Sequence, residues 1–373
     1  MSKMSFSGLS KFVKDHQRGL MVFLICVYAL YLRLVHLAQH NLWADEYWQL
    51  NAMEGPFVEF LKLLPQREFC SYLSGDYYLI YPFFKVFAYN KWGLAVPHII
   101  ATVLGFIFLY LICRQYYKTL LGYAVAFLIV CFNINLIIHA TEIRTYAVMP
   151  TLGLMVLYYS QKVADLNTKM PLKSKCALGA FFILVIWWHA YGVLIFSLPF
   201  GFAVLNKLMH RQPNESAGVI ITDMVKFVCI ISCLAAPLWL YSVFGPHFKL
   251  LNAEGESAVG GVVFQFIPNP LENTVGFLKA IFGNLIGQKK LYFLLGGLVL
   301  AAVVPYRQKA TQALFVVLTV IVPIGLLLFM DIRSDYWFIQ RQFCWTMPFF
   351  AFFTGWVWDS LFVFTRAHFT ARH

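Results

Sequence analysis

Apolar runs of about 20 residues recur from one end of this chain to the other, and nothing else in the sequence constrains its fold as tightly. A run of that length crosses the hydrocarbon core of a bilayer as a helix, which satisfies its own backbone hydrogen bonds where water is absent. About ten such spans account for the pattern, among them 19–38, 119–139, 145–162 and 291–305. Only 12% of the 373 residues are charged, whereas a soluble domain carries about a quarter. The chain therefore reads as an all-α polytopic membrane protein, one bundle over residues 1–373 with no separate soluble domain. The first span is too long for a signal-peptide core and lacks a small-x-small cleavage site, so it reads as a retained transmembrane helix.

The formal charge of +12 would suit a nucleic-acid partner, but its distribution argues against one. Lys and Arg collect in short connections between spans: Lys11, Lys14 and Arg18; Arg114 and Lys118; Lys169, Lys173 and Lys175; Lys207 and Arg211; Arg307 and Lys309; Arg366 and Arg372. That is the positive-inside pattern, which orients a membrane protein and attracts anionic lipid heads. Six of the eight cysteines (Cys26, Cys113, Cys131, Cys229, Cys233 and Cys344) lie in or at the ends of apolar spans, where Cys acts as a small hydrophobe. Cys70 alone lies in a polar loop. No disulfide framework is implied, no ligand cluster calls for a divalent metal, and no cofactor is required.

The segment from Tyr77 to Ala88 decides the topology. It is short, aromatic and interrupted by Pro82 and Lys85, which predicts a helix lying in the interface. Lying flat, it leaves every basic cluster on one side; spanning, it would divide them. The N- and C-termini are then cytoplasmic, and residues 40–93 form a first extracytoplasmic loop. A second long loop, 242–290, holds Gly255, Gly260, Gly261, Pro268 and Pro270, and loops of that length are often functional.

Most remaining ionisable residues gather on that outer face. Asp45 and Glu46 follow the first span within Trp43-Ala44-Asp45-Glu46-Tyr47-Trp48. Carboxylates beside hydrocarbon are costly to desolvate, so they serve as a helix cap or as chemistry. Glu142 and Arg144 sit where the third and fourth spans meet, either as a local ion pair or with Arg144 clamping a phosphate. His189 and Tyr191 lie where the fifth and sixth spans meet. Arg341 opens the last span, where it snorkels or joins Arg144 at a phosphate; Arg333 and Lys85 are weaker candidates of the same kind.

An acidic pair after the first span, a Tyr-Tyr interfacial segment, and Glu142-Ile143-Arg144-Thr145-Tyr146-Ala147 occur here in that order. In this the chain resembles the GT-C glycosyltransferases, and most of all their protein O-mannosyltransferase and aminoarabinose-transferase branch. The resemblance covers about Leu30 to Tyr159, with a weaker echo from Arg341 to Gly355. One departure stands out. The family often has His-Pro-Pro or Lys-Pro-Pro before the Tyr-Tyr pair, whereas this chain has Leu73-Ser74-Gly75-Asp76. A basic residue is replaced by a third acid, Asp76, suited to acceptor binding or to capping the helix.

The resemblance implies a polyprenyl-phosphate-sugar donor and inverting transfer to a hydroxyl of a lipid, glycan or protein. It puts the general base at Asp45 with Glu46 in support. Arg144, Arg341, His189 and Lys85 would hold the donor phosphate, and Glu142, Asp76, Tyr146 and Tyr191 would position the substrates. A plasma or inner membrane location goes with that reading. A transporter or flippase of lipid-linked sugars is the competing class, but ionisable residues near the midplane and repeated halves, its usual marks, are not apparent in the sequence.

Overall fold

The computed structural model describes residues 6–63, 75–165, 171–189, 191–213, 215–244, 309–326 and 344–370. Within them every regular element is helical. In chain order these are α1 (Phe6–Gln39), α2 (Ala44–Asn51), α3 (Phe57–Leu63), α4 (Gly75–Phe87), α5 (Lys91–Tyr116), α6 (Leu120–Phe132), α7 (Ile134–His139), α8 (Met149–Asp165), α9 (Leu172–Trp188), α10 (Gly192–Met209) and α11 (Ala217–Phe244). α12 (Lys309–Leu326) contains a π-helical segment, Val317–Ile321, and α13 (Met347–Thr370) closes the chain. Among the described residues, six helical segments are long and apolar enough to cross a membrane: His16–Gln39, Lys91–Tyr116, α10, Ala217–Leu240, α12 and Cys344–Phe369. The protein is an integral membrane protein. α1 exposes Phe23, Leu24, Val27, Tyr28 and Tyr31 along one side, an arrangement suited to lipid and not to water.

Local chemistry sets the breaks. Asn90 caps α5, accepting from the Trp92 N–H at 3.0 Å, and Thr119 caps α6. The run 119–139 is expected as one span, yet it folds as two helices. Asn133 ends α6, and its Oδ1 accepts from the Leu136 N–H at 3.1 Å to start α7. A polar side chain that satisfies a backbone donor inside an apolar run gives the chain an alternative to continuing the helix. The fourth span likewise begins at Met149, after a 3-10 turn over Thr145–Ala147.

α4 has 13 residues, a length of about 20 Å at helical rise. That is short of the ~30 Å hydrocarbon core, in keeping with the interfacial placement of 77–88. It packs on α5 and α9. The bundle centre lies between α6 and α13, where Trp345, Phe349, Phe352 and Trp356 are buried with Phe127 and Phe315. Asp359 of α13 accepts from the Thr119 N–H at 2.7 Å and the Lys118 N–H at 2.9 Å, so the last helix caps the third span. A smaller cluster, with Leu50, Met53, Phe60, Tyr77 and Ile80, lies under the first loop. It fixes α2, α3 and α4 against Leu94 and Ile143. The 245–290 part of the loop expected at 242–290, the span at 291–305, Cys70, Arg333 and Arg341 lie outside the described residues; residues 242–244 continue α11.

Candidate active site

α2 begins at Ala44, and its third residue turns back on its own start. Glu46 Oε2 accepts from the Trp43 N–H at 3.0 Å, half of a capping box. Its other oxygen accepts from the Ile143 N–H at 2.6 Å. One carboxylate therefore caps α2 and ties it to the 140–147 turn. Glu46 is only 4% exposed, and burial pushes its pKa up against the opposing pull of those two backbone donors.

Asp45 points elsewhere, as adjacent residues on a helix must. Its Oδ2 lies 3.7 Å from Arg144 Nη2, and Arg144 Nη1 donates to the Asp45 carbonyl at 3.2 Å. The Asp45 side chain keeps 30% of its surface and Arg144 22%, so this pair is reachable from outside while Glu46 is sealed. Burial opposes the charge of Arg144, but Tyr146, Asp45, Tyr77 and Asp76 surround it and hold its pKa above the usual value. Glu142 binds His139 instead of Arg144 as its near partner, Oε2 to Nδ1 at 2.7 Å.

His189 lies in the turn between α9 and α10, with its ring 5.8 Å from that of Tyr146 and 4.8 Å from that of Tyr191. Its Nδ1 accepts from the Tyr191 N–H at 3.2 Å, so that nitrogen carries no proton. Burial, and then the Arg144 charge, pull its pKa down to about 4. His189 therefore offers one N–H to a ligand and no positive charge.

Two expected residues are committed to structure. Asp76 is fully buried. Its Oδ1 meets His98 Nε2 at 2.6 Å and its Oδ2 accepts from Gln49 Nε2 at 2.6 Å. One side chain thereby joins α2, α4 and α5. Lys85 donates to the carbonyls of Glu54 and Gly55 at 2.7 and 2.8 Å, and closes the turn after α2.

Several residues that build the site escape the sequence reading. His98 and Gln49 hold Asp76, and His139 holds Glu142. His36 Nδ1 lies 2.9 Å from Thr141 Oγ1 and ties the end of α1 to the same turn. Polarity inside apolar runs marks His36 and His98, but nothing in the sequence says which acid each meets. Among the described residues no three of His, Cys, Asp and Glu converge as a metal site requires.

No protein-family model matches the chain, and no curated protein sequence does either. A solved structure does match: ArnT from Cupriavidus metallidurans in the apo state, at TM-score 0.52 and 12% identity. The match covers 91% of this chain. The fold is GT-C. This chain spans 59% of the length of the ArnT chain, and the likeness is one of fold. Within that fold the Asp45–Arg144 pair joins the first loop to the turn between the third and fourth spans.

Proposed function

We propose that the protein is a membrane glycosyltransferase that moves a sugar from a polyprenyl-phosphate donor to an acceptor hydroxyl on the extracytoplasmic face. The observation that carries this reading is the partly exposed Asp45–Arg144 pair, in a fold like that of the ArnT structure. As the glycosyl–oxygen bond breaks, negative charge develops on the departing phosphate. Arg144 is placed to stabilise it with two parallel N–H donors. Asp45, loosely held at 3.7 Å, would leave Arg144 to the phosphate and take the acceptor proton. Attack from the face opposite the phosphate inverts the anomeric carbon.

The other residues support these two. Glu46 pins α2 so that Asp45 keeps its position, and Asp76 with His98 does the same from the far end of that helix. Glu142, fixed by His139, and the rings of Tyr146 and Tyr191 frame the space around Arg144. The termini are cytoplasmic, and the acceptor is a lipid, glycan or protein hydroxyl.

Asp45→Asn tests the reading in purified protein supplied with a synthetic polyprenyl-phosphate sugar. Transfer should fall by about 10²–10⁴-fold, the usual worth of a general base, while thermal stability and donor binding persist. Undiminished transfer by this variant would rule out Asp45 as the base. Movement of the lipid-linked sugar between leaflets with no new glycosidic product would favour a flippase.

A further inference from the structure

Arg33 is a full charge that the proposed chemistry leaves unused. It lies in α1, six residues before the helix ends at Gln39, about 9 Å along the axis from the outer end. It is 1% exposed. Its Nη1 donates to the carbonyls of Ala29 and Cys131 at 3.0 and 3.2 Å, and its Nη2 reaches the Val130 carbonyl only at 3.5 Å. Nε is buried with no acceptor among the described residues. A guanidinium has five N–H donors, so Nε and one hydrogen on Nη2 remain. Those are the donors Arg uses to grip an anion side-on.

The charge is only partly balanced. Val130 and Cys131 are in the last turn of α6, and a helix C-terminus supplies about half a negative charge. The Phe106 ring, 5.3 Å from Cζ, adds a weak cation–π contribution. Among the described residues no carboxylate lies within ion-pair distance of Arg33. The titratable groups acting on it are the Cys26 and Cys131 thiols. An unbalanced charge at membrane depth is costly and calls for a counter-ion.

Space for one exists. Arg33 lines a cavity of about 40 Å³. Its other walls include Thr102, Phe106, His139, Tyr146 and Thr151, and no acidic residue. The volume exceeds what a single water needs. We propose that this cavity binds a small monovalent anion of the halide class, held on the Arg33 guanidinium. The anion completes the charge balance at the junction of α1, α6 and α7, beneath the turn that carries Arg144. This inference does not depend on the glycosyl-transfer reading, because its test reads salt and not turnover.

The full chain is purified without halide, and its thermal unfolding is followed in sodium gluconate, chloride and bromide at equal ionic strength. Chloride and bromide should each raise Tm saturably, by about 2–4 °C for a ligand in excess over its Kd. Arg33→Gln should abolish that dependence, and Arg33→Lys should keep part of it. Identical Tm in all three salts, or a halide effect undiminished in Arg33→Gln, overturns the proposal. If Arg33→Gln does not fold, bromide anomalous diffraction from the unaltered protein decides. A peak beside Arg33 supports the site, and a cavity holding water alone overturns it.

Discussion

At the scale of the residue, the two neighbouring carboxylates divide their work by direction. Asp45 faces Arg144 at a partly open surface, and Glu46 turns inward to two backbone N–H groups. Glu46→Ala would leave the Trp43 and Ile143 donors without their carboxylate. The buried Ile143 donor left unmade costs about 1–3 kcal/mol and the part-buried Trp43 donor less, so we expect a loss of about 2–4 kcal/mol, read as a fall in Tm. Donor binding through Arg144 should survive if the variant is assayed below its new Tm. The order along the chain suggested that the acids of the first loop and the 140–147 turn belong together, and Asp45 and Glu46 do meet that turn. Which acid meets which cation was not legible there. Glu142 precedes Arg144 by two residues and suggests a local pair, yet it binds His139, because the turn after α7 brings the i, i+3 neighbour closer. Asp76 could serve an acceptor or cap its helix on the sequence alone, and the structure buries it between Gln49 and His98.

At the scale of the element, the site depends on turns more than on helices. The α9–α10 turn presents His189 and Tyr191, and it closes so tightly that a Cβ on Gly192 would lie 2.2 Å from the Val185 carbonyl oxygen and 2.5 Å from that of Ile186. Backbone atoms cannot swing aside as a side chain can. Gly192→Ala should therefore cost about 1–3 kcal/mol, as overpacking of a filled site does. It should also move His189 relative to Tyr146, seen as lower Tm and lower yield of folded protein. Span positions were readable because lipid imposes a length on every apolar run. The split of the third span at Asn133 was not, since one Asn inside such a run is equally compatible with a continuous helix. Only the cap it forms with Leu136 shows the break.

At the scale of the whole molecule, the single-face site stands on the orientation of the bundle. Cysteines placed at Lys118 and Gln212 of a Cys-free protein should resist a membrane-impermeant thiol reagent in intact cells. A cysteine at Lys62 should react with it. Labelling of either inner position from outside would split the basic clusters between two faces and separate the elements that we place together. Hydropathy along the chain determined the class of this protein and its approximate spans. Those properties follow from the energy of apolar and charged groups in a bilayer, which acts on each segment by itself. The partners of Asp76, Glu142 and Arg33, and the cavity beneath Arg144, were decided by tertiary structure alone. Apart from the local His139–Glu142 pair and the Arg33–Ala29 bond, they depend on contacts between residues distant in the chain, such as Asp76 with His98 and Arg33 with Cys131, and such contacts are set by how helices pack, not by composition along the chain.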